Sequence, residues 1–172
     1  MRQDTLNRKS DAVDAAVAQW RSERPDLDVS AKEVTARVMR LSSLFGATYA
    51  RSFAELGLPE GAYGILVALR RAGSPFQLAP SELARARMMT SGGMTAALDR
   101  LERAGLISRS PHPSDRRSTL IGLTGPGREL VDSAMEAHTA QERALLAGLS
   151  DAERRRLAEL LRKLLLSVDE EA

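Results

Sequence analysis

The chain has 172 residues, 43% of them apolar but only 3% aromatic, so a single domain is expected whose core is built from Leu, Val, Ala and Met. A net charge of +2 does not by itself announce nucleic-acid binding, and no apolar run approaches membrane-spanning length. There is no cysteine, which removes disulfides, thiolate metal sites and thiol redox switching.

In chain order, the first predicted helix covers 11–21 and places Val13, Ala16, Val17 and Trp20 on one face before Pro25. Asp4, Asp11 and Asp14 among the scattered polar residues of the N-terminus leave no signal-peptide core, so a cytoplasmic protein is expected. A longer helix is predicted from Ser30, which forms a capping box with Glu33, and carries Val34, Val38, Leu41, Phe45, Tyr49, Phe53 and Leu56 along one stripe before Gly57. Residues 60–71 form a third helix with Tyr63, Leu66, Val67 and Leu69 apolar, closed by Gly73 and Pro75.

The densest information lies in 81–123. Pro80, tolerated in a first turn because its missing N–H has no partner there, opens a short helix through Ala86. A second helix is N-capped by Ser91 and ended by Gly105. Its 3.6-residue period puts Met94, Ala97, Leu98, Leu101 and Ala104 on a packing face, and Ser91, Thr95, Ala96, Asp99, Arg100 and Arg103 on a free one. The small residues Ser91, Gly92 and Thr95 suit close approach to base edges by the helix N-terminus. Two β-prone runs follow, 106–109 and 118–123, joined by a polar loop over 110–117. This reads as a helix-turn-helix with a hairpin wing, and so as a DNA-binding module. Within 81–123, seven arginines face four acidic residues, a net +3, which leaves −1 for the rest of the chain.

After the hairpin, a helix is predicted from 124–126 to about Ala147, and Ser150 with Glu153 forms a capping box for the last one. That helix carries Leu157, Leu160, Leu161, Leu164, Leu165 and Leu166, more leucine than one narrow stripe can bury. A second copy of the chain is the simplest cover. Gly92-Gly93 lacks the Lys, the spacing and the preceding strand of a phosphate loop, and no arrangement of catalytic residues is recognisable, so no enzyme activity is expected. His138, four residues before Glu142, reads as a solvated helix side chain, and His112 as a loop residue or phosphate neighbour.

In this order and spacing the residues resemble the MarR-type winged helix-turn-helix regulators. The resemblance rests on Ser81-Glu82-Leu83-Ala84, on Gly93-Met94-Thr95 followed by 98–106, and on Asp115-Arg116-Arg117 with Leu123-Thr124, and it spans about 30–168. It implies a mainly α fold with a small β-hairpin wing and a helical homodimer that pairs through its first and last helices. It also implies a ligand-responsive repressor that reads a pseudo-palindromic operator in double-stranded DNA and needs no cofactor. The corresponding division is an N-terminal extension, 1–29, and a MarR-like domain, 30–172. Within that domain, 30–56 and 125–172 supply dimerisation helices and 57–124 the winged helix-turn-helix.

Ser91, Thr95 and Arg100 are the candidates for the major groove or its adjacent phosphates, while Thr95 and Arg100 equally suit caps or solvated helix positions. The resemblance implies that Arg117 enters the minor groove from the wing, held by Asp115, with Arg116 free to reach a phosphate. A guanidinium suits the enhanced negative potential of a narrow minor groove. The N-terminal extension resembles a urate-responsive subgroup, whose ligand positions correspond here to Trp20, Gly64, Ala97 and Arg109. Glycine and alanine at the two central positions lack the subgroup's polar partners, so a bulkier aromatic or hydrophobic effector, or a site that has lost urate, is expected. For Trp20, anchoring of the extra helix is the competing role.

Overall fold

The computed structural model describes residues 9–58, 61–87, 91–112 and 115–169, with the side chains of 85–93 and 112–118 outside that description. Its helices are α1 (Ala12–Glu23), α2 (Lys32–Glu55), α3 (Ala62–Arg71), α4 (Pro80–Arg87), α5 (Ser91–Arg103), α6 (Gly125–Leu145) and α7 (Asp151–Asp169). Strands β1 (Gln77–Leu78), β2 (Ile107–His112) and β3 (Asp115–Leu123) form a three-stranded antiparallel sheet in the order β1-β3-β2. The fold is therefore mainly helical with a small hairpin wing, as the sequence predicts. Among the described residues no helix is long and apolar enough to cross a membrane.

The chain forms two compact units, and the boundary falls within α2 and α6. One consists of residues up to Phe45 together with Gln141–Ala172, the other of Gly46–Ala140.

In the first unit, α1 is seated by a small cluster of Val13, Val17 and Val29, with Ala36 packed against it. Its start is a capping box: Asp11 Oδ1 accepts from the N–H groups of Val13 and Asp14, and the Asp11 N–H donates to Asp14. Arg37 of α2 donates from Nε to Asp11 Oδ2 at 2.8 Å and also to Asp14, which ties α1 to α2. The expected capping box of Ser30 with Glu33 does not form. Asp28 captures the Ser30 N–H at 2.9 Å, the Glu33 carboxylate accepts from Arg21, and α2 begins only at Lys32. Asp28 competes successfully because a carboxylate two residues upstream closes a tight local turn with Ser30. At Ser150 the predicted box is present, with Ser150 N–H to Glu153 Oε2 at 2.8 Å and Glu153 N–H to Ser150 Oγ at 3.4 Å.

The hydrogen bond from Arg37 to Asp11, and those from the Asp11 N–H and Arg37 to Asp14, hold both carboxyls below their ordinary range. Groups with a depressed folded pKa stabilise the seated helix in full above the ordinary carboxylate range, about pH 4, and lose that contribution as pH falls from there through the depressed folded values. Acid titration followed by emission of Trp20, the chain's single tryptophan and a residue of α1, should show a transition near or below pH 4. In Arg37→Met the transition should move to higher pH. An unmoved midpoint would show that the valine contacts alone seat α1.

The second unit has the main core, in which Ile65, Leu66, Leu69, Leu83, Leu101, Ile121 and Val131 are fully buried. Phe53 and Leu56, at the end of α2, pack against this core. Earlier members of the same stripe, Val34, Val38 and Leu41, are exposed, as are the six leucines of α7. The α2 stripe is thus half core and half surface in a single chain. Both exposed sets belong to the first unit.

Candidate nucleic-acid interface

Helix α5 is built as its periodicity requires. Met94, Ala97, Leu98 and Leu101 are buried, while Thr95, Ala96, Arg100 and Arg103 are exposed. Ala104, expected on the packing face, is exposed, because the helix already ends at Arg103 in a glycine-terminated turn. Gly105 takes φ +70°, its N–H donates to Glu102 O, and the Leu106 N–H reaches back to Leu101 O. This pairing satisfies two carbonyls at the helix end. Arg100 Nε and Arg103 Nε donate to carbonyls of their own helix, Ala96 O and Asp99 O, at 3.3 and 3.2 Å.

The wing is longer than predicted and its loop shorter. Strand pairing begins at Ile107↔Leu123 and continues through Pro111↔Thr119 to His112↔Asp115, so residues assigned to a loop are strand. Pro111 misleads the sequence reading because proline usually breaks strands. Here it lies on an edge strand, where a missing N–H can be tolerated, beside a register shift. Strand β1 was not foreseen: two residues pairing with Gly122 and Ile121 are too few to show a period.

The wing base is joined to α5 by charge. From β2, Arg109 donates from Nη2 to Asp99 Oδ1 at 2.6 Å and from Nη1 to Glu102 Oε2 at 2.8 Å. Hydrogen bonding by Asp99 raises the basicity of the guanidinium further. Beside it, a cleft of about 420 Å³ opens between α4, α5 and the strands, with Pro80, Ala84, Met94, Thr95, Leu98 and Arg109 in its walls. Among the described residues there is no group of three His, Asp or Glu side chains placed to hold a metal ion.

An exposed helix face next to a basic hairpin is the geometry with which winged helices meet DNA, and the relatives of this chain agree. The MarR family model matches residues 56–118. The chain is 39% identical, over 87% of its own length and 90% of the relative's, to the HTH-type transcriptional regulator PecS of Dickeya dadantii (strain 3937). The chain belongs to the MarR family. It is also 30% identical to the HTH-type transcriptional repressor YetL of Bacillus subtilis (strain 168), over 79% of this chain and 81% of YetL. Among solved structures it resembles Bordetella bronchiseptica BpsR, from work on regulation of that protein's DNA binding by 6-hydroxynicotinic acid. The TM-score is 0.65 and the identity 27%, covering 76% of this chain and 91% of BpsR.

Within this MarR-family chain the DNA-reading candidates fall as follows. Thr95 and Arg100 share the exposed face of α5. The backbone of Ser91 begins that helix and the backbones of Asp115, Arg116 and Arg117 begin β3, but their side chains lie outside the described residues. Of the ligand candidates, Arg109 lines the cleft, Gly64 is half-buried on α3, and Ala97 is buried in the core. Trp20, on α1 of the first unit, is 47% exposed with Lys32 Nζ 6.0 Å from its ring centroid.

Two features were not foreseen. Asp99 and Glu102 hold Arg109, a pairing between a helix and a strand that their spacing does not signal. His138 is half-buried, not a fully solvated side chain. It packs edge-on to Tyr49 at 4.4 Å between ring centroids and lies 5.1 Å from Tyr63, which stacks on Phe53 at 4.0 Å. The rings come from α2, α3 and α6, and the imidazole presents an apolar body to them.

Proposed function

We propose that this chain is a sequence-specific, DNA-binding transcriptional regulator that acts as a homodimeric repressor under the control of a small molecule. The observation that carries the reading is α5, buried on one side, exposed on the other, and joined without a break to a hairpin whose far strand begins Asp115-Arg116-Arg117. Its kinship with PecS and YetL, named as a regulator and a repressor, supports the same reading. Two copies paired through the exposed faces of α2 and α7 would present two recognition helices to a pseudo-palindrome, and a dimer seated on an operator blocks the same stretch of DNA to polymerase. Such a protein works in the cytoplasm, where the DNA is, and its mechanism is binding without chemistry. A winged-helix scaffold that reads no DNA is disfavoured by the concentration of positive charge in 81–123.

Ser91, Thr95 and Arg100 are assigned to the major groove or its phosphates, and Arg116 and Arg117, with Asp115 as a brace, to the wing contacts. The effector is assigned to the aromatic or hydrophobic class, since the apolar side chains beside Arg109 in the cleft, Pro80, Ala84, Met94 and Leu98, suit a flat ring. Regulation of BpsR's DNA binding by 6-hydroxynicotinic acid supports small-molecule control. To act, the effector must bind the DNA-incompetent arrangement more tightly than the competent one.

Arg117→Ala should weaken binding to a selected duplex by about 1–3 kcal/mol with the fold intact, as judged by circular dichroism and anisotropy. Unchanged affinity would remove Arg117 from the interface.

A further inference from the structure

We infer that Arg109 is a positioning residue for DNA recognition: it aims the wing by bridging β2 to two carboxylates of the recognition helix. The inference rests on the DNA-reading function proposed above. Its basis is the geometry of a single guanidinium held at 2.6 Å from Asp99 and 2.8 Å from Glu102, acids one helical turn apart on α5. A planar fork can satisfy both at once, whereas an ammonium is a single point charge. Arg109 pairs with Ile121 in the sheet, and the hairpin runs on from there to His112↔Asp115. Three residues of extended strand span roughly 10 Å, so a small rotation at Arg109 is magnified where Asp115, Arg116 and Arg117 begin β3. The side chains of Arg109, Asp99 and Glu102 are 34%, 47% and 39% exposed, too open for the bridge to add much to folding. The core already holds the root of the wing through Ile107 and Ile121, both nearly inaccessible. What the bridge adds is direction. It also offsets one of the two negative charges on α5 beside the surface that meets phosphates.

The test uses the full chain and a duplex enriched from a random-sequence library by the wild type, with a scrambled duplex as reference. Arg109→Met, the double variant Asp99→Asn/Glu102→Gln and the triple variant combining them are compared by the ratio of the two affinities, which cancels any uniform change in charge attraction. The expected result is about a tenfold loss of that ratio in each of the three, with no further loss in the triple and with the melting temperature unchanged. Arg109→Lys should recover only part of it. A double variant that discriminates as well as the wild type while Arg109→Met does not would overturn the inference and make Arg109 a direct DNA contact. In that case Arg109→Met would also lower the slope of log affinity against log salt by about one. Loss of melting temperature in step with discrimination would reduce the bridge to a folding contact, and full discrimination by all variants would dismiss it. Absence of any preference in the wild type would instead overturn the DNA-reading function itself.

Discussion

Replacing Leu160 and Leu164 with glutamate should turn the dimer into monomers and lower affinity for the selected duplex by about 10²–10⁴-fold, the advantage of joining two half-site interactions. The two leucines are 49% and 44% exposed in the single chain and lie one turn apart on α7, among Leu157, Leu161 and Leu165 of similar exposure. Because they are already open to solvent, charge there costs the isolated chain little. In a dimer seam each carboxylate would have to be desolvated without a partner, which costs several kcal/mol. Light scattering should give a mass near the 18.7 kDa of one chain for the variant and twice that for the wild type, with equal helicity by circular dichroism. A variant that remains dimeric would move the interface off α7.

The second large effect is expected at Gly127. A Cβ built there would stand 1.9 Å from Leu106 O and 2.9 Å from Leu106 C, backbone atoms that no rotamer change can move. The neighbourhood is a joint: the Thr124 hydroxyl donates to Gly105 O at 2.7 Å and accepts from the Gly127 N–H at 3.0 Å, while the Thr124 N–H donates to Leu106 O. The end of the recognition helix and the start of α6 are thereby fastened through one turn. Gly127→Ala must separate them and should destabilise the chain by about 1–3 kcal/mol, the usual range for overpacking. For a chain of this size that is roughly 2–4 °C of melting temperature per kcal/mol. Gly125→Ala, where a Cβ meets nothing within 4 Å, is the control and should change little. Equal melting temperatures for the two would show that α6 is not pressed against Leu106.

How far the sequence could be read depends on the range of the interaction involved. The packing face of α5 from Met94 to Leu101, its glycine stop at Gly105 and the Ser150 box are set by residues within one or two turns, and each lies where local periodicity and capping put it. The same local rules fail where two candidates compete. Asp28 takes Ser30 out of the expected box, and an edge position lets Pro111 stay in a strand. Side-chain partners supplied by other elements were not legible at all. Nothing in the spacing from Arg109 back to Asp99 and Glu102 says that the side chains of a strand and a helix will meet. Likewise His138 looks solvated until α2 and α3 bring Tyr49 and Tyr63 against it. The exposed leucines of α7 were legible from their number alone, since no single stripe of one helix could bury them.

The most direct test of the central claim is a fluorescence anisotropy titration of the full chain against the enriched duplex and its scrambled counterpart, at two salt concentrations. The regulator reading predicts tight binding to the enriched duplex with two chains per duplex, weaker binding to the scrambled one, and affinities that fall as salt rises. Equal, weak binding to both duplexes, or failure of any sequence to enrich, would contradict it.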